Sequence, residues 1–311
     1  MPLHLTFAGR PRRSAGPRPR WIAAPHLTAC ADGAAARSVG WLDGAVQSDI
    51  EWLGDQVVAG VVERSFRTTR SGRRVPGVVW LPPPGSDPVP LVLVGHGGSG
   101  HKRSARVVEQ ARWFAGRAGC AVVAIDGPCH GERVPVPMPA EQYQAWIAGV
   151  GVEVVLDWMI DDWKAAVDVV AAGGRVDPGR LGYLGMSMGG RFGLALVAAM
   201  NDRFRAVVIG KFGLRQGSAM HPGLSAPDRV AADAARTTAP LLFHVQRDDE
   251  IFPGSGQREL FDLIGSPVKR LITEPGRHAQ TSPGAIAGWQ TFIAERLTGG
   301  VRNGGGRSYA A

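Results

Sequence analysis

The chain has 311 residues, 44% of them hydrophobic and 20% charged, a balance that suits a soluble globular core and excludes a disordered or fibrous class. The formal charge of +8 gathers partly at the ends (Arg10, Arg12, Arg13, Arg18, Arg20, Arg302, Arg307), where it reads as solvated tail, because no aromatic platform or recognition helix accompanies it. No apolar run reaches about 18 residues, so no transmembrane helix is expected, and the odd set Cys30, Cys120 and Cys129 lacks the spacing of a disulfide framework or a zinc site, which fits a reducing, cytoplasmic setting.

Residues 1–48 are rich in Arg, Pro, Ala and Gly without periodicity and read as a disordered or extended segment. One feature there argues for export: Leu27-Thr28-Ala29-Cys30 resembles a lipoprotein cleavage box, although Pro25 and His26 make the preceding segment a poor signal core. The catalytic domain is expected over 49–298. A short helix is read from Asp49 to Gly60. Val57–Thr69 and Arg73–Leu81 read as two strands around a Ser71-Gly72 turn. Leu91–Gly95 and Ala121–Ile125 are continuous apolar runs, the pattern of strands covered on both faces, and Arg103–Ala118 between them has helical spacing.

Residues 127–162 break this rhythm with several prolines followed by Tyr143 and Trp146, and read as an insertion forming a pocket wall. A helix is expected within Gly151–Ala172. A buried strand at Leu181 leads into a helix through Phe192–Met200, and further strands are expected at Ala206–Ile209, Pro240–Val245 and Val268–Thr273. Helices are read at Gly256–Ile264 and Pro283–Arg296, and 299–311 is a Gly/Arg-rich tail. Strands alternating with helices imply an α/β fold, a mostly parallel twisted sheet with helices on both faces.

The chemistry centres on Gly185-Met186-Ser187-Met188-Gly189, a G-x-S-x-G at a strand-to-helix turn. A serine on so sharp an elbow takes strained backbone angles that crowd the residues two before and two after it, and glycine at both removes the clashing Cβ atoms. The helix beginning there aims free N–H groups at the serine. Directly after the strand at 91–95, His96-Gly97-Gly98-Ser99-Gly100 brings a second backbone donor to the same place. Met188 N–H and Gly98 N–H are therefore the candidate oxyanion donors, with Gly97 or Ser99 as neighbours able to replace Gly98. His96 reads as a loop-shaping hydrogen bonder.

A serine nucleophile needs a base, and His278, just past the last strand, is the candidate. His244 lies inside a strand, and the other histidines lie in the leader or in loops without a matching acid. The acid comes from Asp248-Asp249-Glu250 after the strand at 240–245, with Asp249 the first choice and Asp248 the second. Tyr143, Trp146, Trp158, Met159, Met188 and Phe212 either line an apolar pocket or pack in the core.

With these motifs in view (HGGSG at 96–100, AIDGPCHGE at 124–132, GMSMGG at 185–190, DDEIFP at 248–253, GRH at 276–278), the chain resembles the α/β-hydrolases, near the dienelactone-hydrolase-like and carboxylesterase branch, over roughly residues 57–297. The resemblance implies an acid four residues before a proline, which Asp249 and Pro253 match, an oxyanion donor at Gly98, and a structural role for Asp126. Dienelactone hydrolases proper carry cysteine at the elbow where this chain has Ser187. The expectation is a serine hydrolase of small-molecule carboxylic esters, using Ser187, His278 and Asp249 and no metal or organic cofactor, with neither nucleic acid nor membrane as partner. A peptidase, lactonase or acyltransferase on the same residues, or a binding protein without catalysis, are the alternatives.

Overall fold

The structure is a computed structural model and describes residues 50–85 and 87–299. The extended-segment and cleavage-box readings over 1–48, and the tail beyond Gly299, lie outside the described residues. A nine-stranded sheet forms the frame, in the order β1-β2-β3-β5-β4-β6-β7-β8-β9. Its strands are β1 (Glu51–Val58), β2 (Val61–Arg70), β3 (Arg73–Leu81), β4 (Val89–Gly95), β5 (Ala121–Ile125), β6 (Val176–Met186), β7 (Phe204–Gly210), β8 (Leu241–Gln246) and β9 (Lys269–Glu274). The first three pair antiparallel, and β3 meets β5 antiparallel; from β5 across to β9 every pairing is parallel.

Helices cover both faces, as the alternation along each strand requires. Leu91 and Leu93 of β4 and Val207 and Ile209 of β7 face one core, packed under α3 (Val152–Ala171), α4 (Met188–Ala199), α5 (Pro227–Arg236) and α6 (Gly254–Leu263). Val92, Val94 and Val208 face the other, under α1 (Ala105–Trp113) and α7 (Pro283–Thr298). The remaining helix, α2 (Ala140–Val150), belongs to the segment between β5 and β6.

Two expected elements are corrected. Residues 51–58 form an edge strand and not a helix, and the strand expected over Val57–Thr69 is broken at 59–60 and starts at Val61. Ala59 and Gly60 both take positive φ (50° and 79°), closing a two-residue hairpin that aligns Val58 with Val61 and continues to Glu51 opposite Arg67. Cross-strand contacts then outweigh local propensity: Trp52 packs edge-on against Phe66, and Arg64 pairs with Asp55.

Strand order reverses at β4, whose neighbours are β5 on one side and β6 on the other. The crevice beyond the carboxyl ends of strands at such a point is where open α/β sheets bind ligands. Helix α4 reaches it by packing unusually close to β6. Tyr183, fully buried, donates its hydroxyl to the Gly189 carbonyl at 2.6 Å, and its ring fills the space where Gly193 has no side chain. Gly193→Ala would overlap that pinned ring. It is expected to cost about 1–3 kcal/mol, read as a lower urea midpoint with an unchanged slope.

Candidate active site

Ser187 sits between β6 and α4 with φ 58° and ψ −124°, a strained conformation for a residue with a side chain. Its N–H donates to Gly210 O at 2.9 Å, which ties the elbow to β7. The flanking glycines are where the turn is tightest. A Cβ on Gly185 would lie 2.7 Å from the Gly189 backbone, and one on Gly189 would lie 2.6 Å from Gly95 O and 2.8 Å from His96 O. The elbow is thus wedged against the end of β4 and its following loop.

The structure brings three of the expected side chains together across long stretches of chain. His278 Nε2 lies 2.9 Å from Ser187 Oγ, and His278 Nδ1 lies 2.8 Å from Asp249 Oδ2. The Asp249 side chain is fully buried and well supplied with donors: Ile251 N–H and Phe252 N–H, each at 2.8 Å to Oδ1, and Gln257 Nε2 at 3.1 Å to Oδ2. A carboxylate so held can accept the Nδ1 proton, which leaves Nε2 free to accept from the serine hydroxyl.

Asp248 turns elsewhere and accepts from Gly276 N–H at 2.8 Å. Glu250 accepts from His278 N–H at 3.0 Å; that contact, first among several, holds its carboxyl below the usual carboxylate range. The three consecutive acids therefore grip three different groups of the loop that carries the imidazole.

The expected oxyanion donors lie in the same cavity. Gly98 and Met188 line it with Ser187 and His278, and the cavity measures about 710 Å³. Met188 is the first residue of α4, so its N–H is one of those a helix leaves without an internal acceptor. The Gly98 loop is shaped by two histidines. His96 Nδ1 lies 2.8 Å from Gly97 O, while its Nε2 accepts from Gly127 N–H at 2.8 Å, so Nδ1 carries the proton. His130 Nε2 lies 2.9 Å from Gly98 O. Tyr143, also on the cavity wall, packs its ring at a tilt against His130 with its hydroxyl against Gly98.

Asp126, read as structural, is completely buried and accepts from Lys102 N and Nζ and from Glu132 N–H, at 2.6–2.9 Å, which joins the loops after β4 and β5. Of the six residues weighed for a pocket, Tyr143 and Met188 line the cavity. Met159 and Phe212 are core, and Trp146 packs on Trp158 beside the core. Arg106, Arg191 and Lys211 bring cations to the cavity lining. Sequence reasoning missed Lys211. The available signal was a lysine standing directly after the apolar strand β7, at the carboxyl edge of a parallel sheet. Among the described residues, no group of three or more His, Cys, Asp or Glu is arranged to hold a metal ion, and no helix is long and apolar enough to cross a membrane.

Comparison with known proteins agrees with this architecture. Residues 78–264 match the family model described as the dienelactone hydrolase family. A cold-adapted esterase from an Arctic intertidal metagenomic library, solved as a PEG-bound complex, is 32% identical; the alignment covers 79% of this chain and 99% of that one, with a TM-score of 0.67. An acetyl xylan esterase from Paenibacillus sp. R4 shares the fold at 18% identity, over 82% of this chain and 90% of that one, with a TM-score of 0.60. Among curated proteins, the uncharacterized protein YfhR of Salmonella typhimurium (strain LT2) is 29% identical over 147 residues, 42% of this chain; the match spans half the length of that relative.

His96 gives a pH-dependent prediction. Burial first, then the neighbouring His130, pushes its pKa down to about 4 from an ordinary 6.5. Between those values the unfolded chain binds a proton that the folded chain refuses. The stability contributed by the neutral ring is therefore complete above about pH 6.5 and is lost as pH falls toward about 4. The expected loss is on the order of 3 kcal/mol, measured as a falling urea midpoint, and His96→Asn removes most of that slope.

Proposed function

The chain belongs to the dienelactone hydrolase family, and from that premise we propose that it is a serine hydrolase that cleaves carboxylic esters through an acyl-enzyme. The observation that carries this reading is the unbroken pair of hydrogen bonds from Asp249 through His278 to Ser187, 2.8 and 2.9 Å long. The similarity to a cold-adapted esterase across almost its whole length supports the ester as the bond attacked.

In this mechanism Ser187 Oγ adds to the ester carbonyl as His278 Nε2 takes its proton. Asp249 holds the Nδ1 proton and stabilises the imidazolium that forms. The carbonyl oxygen, now an oxyanion, receives the N–H groups of Met188 and Gly98. As the intermediate collapses, the C–O bond to the alcohol breaks and His278 returns the proton to the leaving oxygen. Water then repeats the sequence: His278 takes its proton, the hydroxide adds to the acyl carbon, and Ser187 leaves with that proton restored.

Residues 49–298 form the catalytic unit in this reading, and the segment 127–162 supplies one wall through Tyr143, Gln144, Ile147 and Val152. Met188, Phe192, Met220, Leu224, Ile251 and Trp289 make the remaining surface largely apolar, which suits a small ester with an apolar acyl or alcohol group.

Ser187→Ala is expected to abolish hydrolysis of a short p-nitrophenyl ester and labelling by a fluorophosphonate, with the far-UV circular dichroism unchanged. Asp249→Asn is expected to lower kcat by about 10⁴-fold, since it favours the wrong imidazole tautomer, whereas Asp248→Asn stays within about tenfold of the parent because that carboxylate grips only Gly276 N–H. Retained turnover in Ser187→Ala would remove the serine from the mechanism. Preference for peptides or lactones over open-chain esters in a substrate panel would reassign the bond attacked.

A further inference from the structure

Lys211 follows β7 in a left-handed conformation, φ 53°, which is unfavourable for a lysine and is held by its N–H donating to His244 O at 2.9 Å. The residue is 2% exposed, yet among the described residues its ammonium does not pair with a carboxylate. It reaches instead into the loop after β9, where Nζ donates to His278 O at 3.1 Å, to Thr281 Oγ1 at 2.7 Å, and to Gln280 O. All three protons of the ammonium are thereby committed to one four-residue stretch. Arg106, from α1, donates to Ala279 O of the same stretch at 2.8 Å. From the other side Glu250 takes His278 N–H. The imidazole-bearing residue is held by both of its own peptide groups.

We propose that Lys211 is a positioning residue for the reaction: its ammonium tethers the 278–281 loop and so fixes His278 Nε2 against Ser187 Oγ. This rests on the reading of His278 as the general base. A neutral amine keeps two N–H donors and a lone pair, so one contact must reverse, and the carbonyl contacts lose their charge assistance. Burial first, and then the nearby Arg106, pushes the Lys211 pKa down to about 8, opposed by Asp249 and Glu274. The other titratable groups that face it are His244 on β8 and His278 itself. The cation is therefore present below about pH 8 and lost above it, and the tether weakens in that direction.

The test compares kcat and KM for a p-nitrophenyl ester from about pH 6 to about pH 10 in the full-length parent, Lys211→Met and Lys211→Arg. The parent is expected to lose kcat as pH rises through about 8. Lys211→Met is expected to lower kcat about 10- to 100-fold at neutral pH with KM within about threefold, and to lack the alkaline fall. Lys211→Arg, which stays charged, is expected to recover much of the lost kcat and also to lack the fall.

A parental kcat and an unchanged alkaline fall in Lys211→Met would overturn the tether. So would a rate that climbs in the parent through pH 8, since that would mean the charge acts on the imidazolium and not on the loop. If Lys211→Met fails to fold, the parent profile decides: a fall near pH 8 whose midpoint shifts with temperature as an ammonium's does supports the proposal, and a flat profile overturns it. His278→Ala separates the two levels. Full turnover in that variant removes the base assignment and the tether with it, whereas loss of turnover there beside an unaffected Lys211→Met removes the tether alone.

Discussion

The close crossing of α4 over the ends of β6 and β4 is the constraint on which this structure depends. Ser187 has to reverse the chain within one residue, and its positive φ costs about 1–3 kcal/mol. Gly185, Gly189 and Gly95 pay part of that by letting backbones approach to distances that no Cβ would permit. Tyr183 secures the crossing with its hydroxyl on Gly189 O, and Ser187 N–H secures it on Gly210 O. The rest of the compensation is remote. Phe192 and Leu194–Val197 of α4 are buried in the larger core, so relaxing the elbow would require lifting an apolar helix from the sheet. Strain at the site and burial behind it belong to the same element.

The side chain facing the elbow is held by different physics. His278 lies in a loop without regular structure, 91 residues from Ser187 and 29 from Asp249. The buried Phe252 ring lies against the imidazole, and polar tethers hold the loop's backbone. Asp248, Asp249 and Glu250 each take a different donor from it, and Lys211 and Arg106 take its carbonyls. The Asp249 and Lys211 contacts are partly shielded from water, where an unmade partner would be costly, whereas those of Asp248, Glu250 and Arg106 lie at the surface. The loop is ordered as a network, which ties the position of one imidazole to the protonation of groups around it.

This division explains what could be read from the sequence. β4 and β5 are legible as uninterrupted apolar runs, and β7 and β8 as mostly apolar ones broken by Arg205 and His244, because both faces of each strand are covered. The elbow was legible because its strain restricts residue choice at 185 and 189. β1 was not: its residues are mostly exposed, so no burial pattern marks it, and its hairpin turn puts Ala59 in a conformation for which alanine gives no signal. The first half of β6 was hidden by Pro178 and Gly179. Between Asp248 and Asp249 composition cannot choose. The choice is made by backbone register, since Arg247 N–H pairs with Glu274 O and Asp248 N–H with Gly276 O, and the two carboxylates leave the turn in different directions. The position of Lys211 directly after β7 is a signal, but what it holds is not legible: its carbonyl acceptors are 67 and 69 residues away, and any residue type supplies a carbonyl.

The same accounting bears on the positive charge of the cavity. A basic chain with Arg106, Arg191 and Lys211 along its pocket invites the inference of an anionic ligand. Each of these cations already donates to main-chain carbonyls: Arg106 to Ala279 O, Arg191 to Leu224 O, and Lys211 to the loop of His278. Burial lowers the pKa of Lys211 to about 8 and of Arg191 to about 10, which means that the protein holds these charges at some cost and not as solvated lures. For Lys211 and Arg191, charge used to order backbone is not charge offered to a ligand. Lys211 has no N–H left over, and Arg191 keeps one buried donor, its Nε, without a partner among the described residues. Arg106 differs: it is exposed and engages a single carbonyl, while the cavity surface between α2 and the elbow is mostly apolar.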